Sequence, residues 1–239
     1  MRFCNVDINM LKLKDIFHCS SSEELKHIIT VNAEGIVRAN ENSRLLQIMN
    51  NNCTTIDGQI PLWLFKRKYP KIDVDKLSGS DIVYDICTWA EEKSYKVFLL
   101  GGNTDANYLS VVKLKVMYPK LEIFGFSPVY QPYPFSTTNE LCIKEEIEHF
   151  SPDILFVGFG MEKQEYWIDD NREFLKSIGI QLVIGCGGTF EFISGKIKRA
   201  PLFIQRIGLE GFWRLCCEPK FFRLKRLLIS LKIFRYFYS

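Results

Sequence analysis

The stretch NCTTIDGQIPLW (residues 52–63) holds one carboxylate, Asp57, in an otherwise uncharged run. An aspartate followed by Gly58 and a Pro61-led apolar segment admits two readings. In the first, Asp57 caps a backbone N–H in a simple Asp–Gly turn. In the second it is a general base held in a pocket, taking a proton from a substrate hydroxyl. These residues alone favour the turn. A second kind of chemistry is suggested by glycines that close apolar runs: Gly101-Gly102, Gly158 and Gly160, and Gly185, Gly187 and Gly188. Glycine lets backbone come close to a ligand and present N–H groups to a phosphate, although the same residues serve plain turns. LLGGNTDAN lacks the GxGxxG spacing, which argues against a nicotinamide dehydrogenase. No DxD triplet occurs, and adjacent Asp169 and Asp170 on a helix would point about 100° apart, a poor chelate.

The elements that must position these residues are legible as short apolar runs. They are HIIT (27–30), YKVFLLGG (95–102), LEIFGF (121–126), DILFVGFG (153–160) and IQLVIGCGG (180–188). Helix-length segments at 80–94, 105–118, 139–150 and 162–177 lie among them. Alternation of this kind predicts an α/β protein with a mainly parallel sheet, whose ligands bind at the carboxyl ends of the strands. SPVYQPYPFSTTNE (127–140) reads as a loop, either a flap over a site or a plain surface connection. Asp81 is suited to cap the following helix.

The chain has 239 residues, 47% hydrophobic and 25% charged, with net charge +3. That suffices for one large domain or two small lobes and excludes a uniformly basic nucleic-acid coat. Charge is uneven, however. From Lys196 to Arg235 there are eleven basic residues against Glu210 and Glu218. Such a tail suggests an anionic partner. FFRLKRLLISLKIFRYFYS spaces Leu224, Leu228, Leu231, Phe234 and Tyr238 as a helical stripe with most cations off it. A basic amphipathic helix of this sort fits a membrane interface; the alternative is a helix packed on the domain by that stripe. Eight cysteines without a CxxC pair and only three histidines give no metal-ligand spacing and point to reduced thiols in the cytoplasm. Neither a signal peptide nor an apolar run of ~18 residues is expected.

Seven stretches in series resemble the WecG/TagA/CpsF glycosyltransferases, glycosyltransferase family 26. They are TVNAE (30–34), TTIDGQIP (54–61), LSGSDIV (77–83), VFLLGGNTD (97–105), DILFVGFGMEKQEYWI (153–168), GCGGTFEFISGKIKRAP (185–201) and LEGFWRLCCEP (209–219). The chain departs from the family pattern at Glu162 (usually Pro), at Glu191 (usually Asp), at Gly211 or Phe212 (one of which is usually Trp) and at Phe221 (usually Arg). The resemblance implies a Rossmann-like core and a C-terminal appendage that meets the membrane. It also implies inverting, metal-independent transfer of a sugar, of N-acetylmannosamine type or related, from a UDP-sugar to an undecaprenyl-diphosphate-linked sugar. Cell-surface polysaccharide or teichoic-acid assembly would use that product.

Read through the resemblance, Asp57 becomes the catalytic base, with Thr54, Thr55 and Gln59 beside it to bind substrate or hold the carboxylate. Thr30 and Asn32 would bind acceptor or donor sugar, or cap a strand end, and Gln164 would read uracil or sugar hydroxyls, with Glu165 stabilising its helix start. Gly101, Gly102, Asn103, Gly187 and Gly188 would contact the nucleotide. Arg199, Arg214 and Arg223 are candidate diphosphate clamps, because a guanidinium meets two phosphate oxygens at once; pairing with Glu210 or Glu218 is the plainer role. The expected division is a core at 1–200 and a membrane-associating appendage at 201–239. Expected partners are the UDP-sugar, the polyprenyl-diphosphate acceptor and the inner face of the cytoplasmic membrane. No metal and no nucleic acid is expected, and a homo-oligomer is allowed. The competing class is a non-catalytic subunit that binds nucleotide or lipid diphosphate.

Overall fold

The structure, a computed structural model, describes residues 1–9, 12–18, 25–217 and 219–238. Glu218, one of the expected arginine partners, lies outside them. The chain divides into two compact units, one of residues 1–17, 29–78 and 197–239, the other of residues 18–28 and 79–196. Strand β3 (Lys26–Val31) is itself shared by the two.

The first unit opens with a hairpin, β1 (Arg2–Phe3) and β2 (Val6–Asp7), turned by Cys4 and Asn5, both at positive φ. Two left-handed residues match the twist of a two-residue hairpin. After α1 (Lys14–His18) and β3, the chain forms α2 (Ala33–Glu41), α3 (Ser43–Asn50), β4 (Cys53–Ile56) and α4 (Gln59–Lys68). Asparagines start both middle helices: Asn32 Oδ1 accepts from Gly35 N–H at 2.9 Å and Asn42 Oδ1 from Leu45 N–H at 3.2 Å. Each satisfies an amide that has no partner within its helix. Phe3 and Phe65 meet edge to face at 5.5 Å in the core of this unit.

The second unit carries α5 (Gly79–Lys93), β5 (Val97–Gly101), α6 (Thr104–Met117), β6 (Ile123–Phe126), α7 (Thr137–Phe150), β7 (Ile154–Gly158), α8 (Lys163–Asp170), α9 (Arg172–Ser177), β8 (Leu182–Gly185) and α10 (Thr189–Ile193). The parallel six-stranded sheet runs in the order β4-β3-β8-β7-β5-β6, flanked by helices, as the alternating pattern predicts. Strands β5 and β7 are buried throughout, which is why they read as unbroken apolar runs. The stretch 53–56 is a strand that apolar-run reading passes over, because its middle residues are Thr54 and Thr55, both fully buried. The helix expected at 162–177 breaks at Asn171, whose side chain turns back to Trp167 O at 3.0 Å.

The tail rejoins the first unit as α11 (Leu202–Arg206), α12 (Glu210–Cys217), α13 (Phe221–Leu231) and α14 (Ile233–Tyr238). Helices α13 and α14 pack on α2. The side of α13 that is half-buried carries Arg223, Arg226, Leu227 and Ser230. The apolar stripe faces the other way: Leu224, Leu228 and Leu231 are 41%, 57% and 54% exposed. The tail therefore does not pack on the domain by its apolar stripe. Among the described residues no helix is long and apolar enough to cross a membrane.

Candidate active site

In the first unit the ends of β3 and β4 lie side by side. Asp57 N–H donates to Val31 O at 2.9 Å, so the aspartate leaves its strand beside the Thr30–Asn32 segment. Asp57, Thr30 and Asn32 are each half-buried. Gly58, at φ +92, turns the chain directly into α4. A Cβ at Gly58 would meet nothing closer than Pro61 Cδ at 3.7 Å, so conformation, not space, calls for glycine there. The two threonines before Asp57 face other work. Thr54 Oγ1 donates to Asp7 O, and Thr55 Oγ1 donates to Leu77 O at 3.0 Å. They brace β4 and direct their hydroxyl protons away from a substrate role. Asn32 uses its oxygen as the α2 cap.

The three candidate clamp arginines sit in the tail and just before it. Arg199 Nε lies 3.9 Å from Glu210 Oε1, the surface pairing anticipated as its plainer role. Arg214 lies in the last turn of α12 and Arg223 in the first turn of α13, with its guanidinium 5.1 Å from the Phe222 ring centre. Gly208, at φ +77, seats the tail's first bend against the start of α4: a Cβ there would lie 3.1 Å from Ile60 Cγ1 and 3.6 Å from Gln59 Cβ. Two cationic contacts fasten α13 and the residue after it to α2. Arg226 Nε donates to Glu34 Oε2 at 2.5 Å, and Lys232 Nζ lies 2.8 Å from Glu41 Oε1. Sequence reading missed Glu34 and Arg226, although Glu34 stands inside the quoted TVNAE stretch.

In the second unit the glycine sets do converge on adjacent strand ends. Gly101 pairs in register with Gly158, and Gly102 N–H donates to Gly158 O at 3.1 Å. The space their missing side chains leave is mostly filled by aromatic rings. A Cβ on Gly101 would be 2.6 Å from Phe159, and one on Gly102 or Gly158 would be 2.8 or 2.7 Å from Phe190. Asn107, buried beneath, holds the turn by donating to Leu99 O and Gly101 O, each at 2.9 Å. Gly160 (φ +87) and Gly187 (φ +53) differ, since a Cβ on either meets nothing within 4 Å. These two leave open room at the ends of β7 and β8. Asn103 caps α6 with its backbone only, and its Oδ1 accepts from Lys196 Nζ at 3.1 Å.

Gln164 is 4% exposed and both ends of its amide are engaged. Oε1 accepts from Gly187 N–H at 3.0 Å, and Nε2 donates to Glu165 Oε1 at 2.8 Å. Glu165 in turn accepts from Glu162 N–H at 2.7 Å in a capping box. Burial pushes the Glu165 carboxyl up to about 7 from 4.5. Gly188 opens α10 without a side-chain cap. The loop ahead of α7 is pinned by Ser127 Oγ to Gly101 O at 3.0 Å and by Lys163 Nζ to Gln131 O at 3.1 Å. Among the described residues no three His, Cys, Asp or Glu side chains group as a metal-ion site. The described cysteines are free thiols, with burial raising those of Cys4 and Cys87 to about 11 and about 12.

The glycosyl transferase WecG/TagA/CpsF family model matches residues 1–238, and the chain belongs to that family.

Proposed function

We propose that this glycosyltransferase moves a sugar of N-acetylmannosamine type, or one related to it, from a UDP-sugar to an undecaprenyl-diphosphate-linked sugar, with inversion. The acceptor hydroxyl oxygen bonds to the anomeric carbon as the bond from that carbon to the diphosphate oxygen breaks. Asp57 takes the hydroxyl proton, and UDP leaves with the electron pair. The growing charge on the diphosphate is met by Arg199, Arg214 and Arg223, so no metal ion is required in this reading. Thr30 and Asn32 contact sugar. Gly101, Gly102, Asn103, Gly187 and Gly188 belong to the nucleotide, and Gln164 shapes that turn.

One observation carries the reading: Asp57 stands at a strand's carboxyl end, held through its own N–H to Val31 O, beside Thr30 and Asn32. A carboxylate so fixed can meet a hydroxyl without first ordering its backbone. Residues 201–239 are the appendage that binds the inner face of the cytoplasmic membrane. The outward stripe of Leu224, Leu228 and Leu231 with Lys225 beside it supports this, because an unpartnered apolar face flanked by cations suits an anionic bilayer surface. The pathway served is cell-surface polysaccharide or teichoic-acid assembly.

The test is transfer from a panel of UDP-sugars to a short-chain polyprenyl-diphosphate sugar, read by mass spectrometry, for wild type and Asp57→Asn. Turnover should fall by about 10²–10⁴-fold in the variant while UDP binding persists. Unchanged turnover would remove Asp57 as base. Loss of activity on chelation, restored by magnesium or manganese, would remove the metal-independent step.

A further inference from the structure

The buried contacts around Gln164 form a directed chain. Gly187 N–H donates to Gln164 Oε1 at 3.0 Å, Gln164 Nε2 donates to Glu165 Oε1 at 2.8 Å, and Glu162 N–H donates to Glu165 Oε2 at 2.7 Å. Both ends of the chain are backbone donors, which cannot reverse. Gln164 must therefore turn its oxygen to Gly187, and its amino group then needs an acceptor on the other side. Glu165 must be an acceptor at both of its oxygens, which an ionised carboxylate is and a carboxamide is not. Nothing else fits: Glu165 is fully buried, and the Gln164 amide lies against Gly185, where a Cβ would come within 2.6 Å of Nε2.

We infer that Glu165 is a positioning residue: its carboxylate fixes the orientation of the Gln164 amide, and that amide holds the Gly187 turn open at the end of β8. Gly187 is the glycine of this turn at positive φ and faces open space, so its placement decides what the turn can receive. Gln164 also takes up the Gly187 N–H and Thr189 N–H donates to Cys186 O at 3.2 Å, which leaves the Gly188 amide of this turn to meet an anion. The functional half of this inference rests on the reading of the turn as part of the nucleotide site.

Substituting Glu165→Gln keeps the shape but puts an amino group where two acceptors are needed. One donor–donor contact must then appear, at Glu162, at Gln164 or, after the Gln164 amide flips, at Gly187. Exchanging the two residues, Gln164→Glu with Glu165→Gln, removes that conflict. The new glutamine accepts from Glu162 N–H and donates to the new glutamate, which accepts from Gly187 N–H. Every donor is again matched, with the charge moved one residue toward the turn.

The experiment measures thermal midpoints and UDP affinity by calorimetry on the full chain, in buffer well above the value of about 7 to which burial raises Glu165, so that its carboxylate is ionised. E165Q should melt lower and bind UDP at least tenfold more weakly. The exchanged variant should recover the midpoint but not the affinity, because its carboxylate now faces the anion. A wild-type midpoint and affinity in E165Q would overturn the inference. If E165Q does not fold, a folded exchanged variant supports the chain of donors and an unfolded one overturns it. If wild type itself binds no UDP while the midpoints follow the pattern, the positioning role stands and the nucleotide reading fails.

Discussion

Arg226 Nε donates to Glu34 Oε2 at 2.5 Å, and Arg38 Nε donates to the other oxygen of the same carboxylate at 2.9 Å. The Glu34 side chain is 6% exposed and the Arg226 side chain 40% exposed. A carboxylate so buried is costly unless paired, whereas the arginine keeps one side in water. The pair joins the tail to the helix that starts at Asn32, so the elements carrying Arg214 and Arg223 are tied to a candidate sugar-binding segment.

Arg226→Met should loosen that tie without exposing a bare charge, since Arg38 still faces Glu34. The expected loss is about 1–2 kcal/mol, below the value for a fully buried pair because water screens Arg226. Amide exchange across residues 221–238 should rise well above that of α5. Unchanged exchange in this segment would mean that Lys232–Glu41 and the apolar contacts hold the tail alone.

The glycines make a second contrast. Gly158→Ala drives a methyl to 2.7 Å from Phe190 in the centre of the second unit, an overpacking that costs about 1–3 kcal/mol. Gly187→Ala meets no atom, and only its left-handed backbone opposes it, at about 1–2 kcal/mol. If the Gly187 turn receives the nucleotide, Gly187→Ala should raise the donor KM by more than its effect on the urea midpoint accounts for. Gly158→Ala should instead lower the midpoint and leave the KM of the folded fraction near wild type. Equal KM effects would place both glycines in packing only.

Much of this was legible in the chain because buried parallel strands have no polar face to blur their pattern. VFLLG and ILFVG declare themselves as strands, and the glycine that closes each marks where the chain must turn. Strand β4 was not legible as a strand, since Thr54 and Thr55 are buried with their hydroxyls bonded to distant carbonyls, Asp7 O and Leu77 O. The stripe of α13 was visible, but its direction was not. Which face turns inward is decided by Glu34, 192 residues away from Arg226, and no local pattern carries that information. Likewise the spacing marked Gly101 and Gly187 alike. Only the neighbouring rings of Phe159 and Phe190 separate a glycine required by packing from one that leaves room.

Buried His27 in the second unit makes stability depend on pH. It is lowered to about 3 from 6.5, by burial first and then by the charge of Arg172, and among the described residues neither ring nitrogen has a hydrogen-bond partner. The unfolded chain takes up that proton first, so stability is lost as pH falls below 6.5, on the order of 4 kcal/mol by pH 3. Urea midpoints should therefore fall less on acidification below 6.5 for His27→Leu than for wild type. Parallel curves for wild type and His27→Leu would mean that the imidazole does not stay neutral in the fold.

The outward face of α13 gives the last prediction. Leu228 is 57% exposed, so Leu228→Asp should cost the fold little, within about 0.5 kcal/mol as for other surface changes. At a bilayer the same substitution removes an inserted apolar side chain and adds a charge of the repelled sign. The inserted leucine contributes about 1.5–3 kcal/mol by area, so binding to vesicles of anionic phospholipid should weaken by tenfold or more. Lys225→Gln should weaken it less, by about 1 kcal/mol, and only at low salt, because a lone surface cation is screened. Co-sedimentation with anionic and with zwitterionic vesicles separates the two contributions. If Leu228→Asp sediments with anionic vesicles as wild type does, the stripe is not the membrane contact, and α13 faces outward for a protein partner instead.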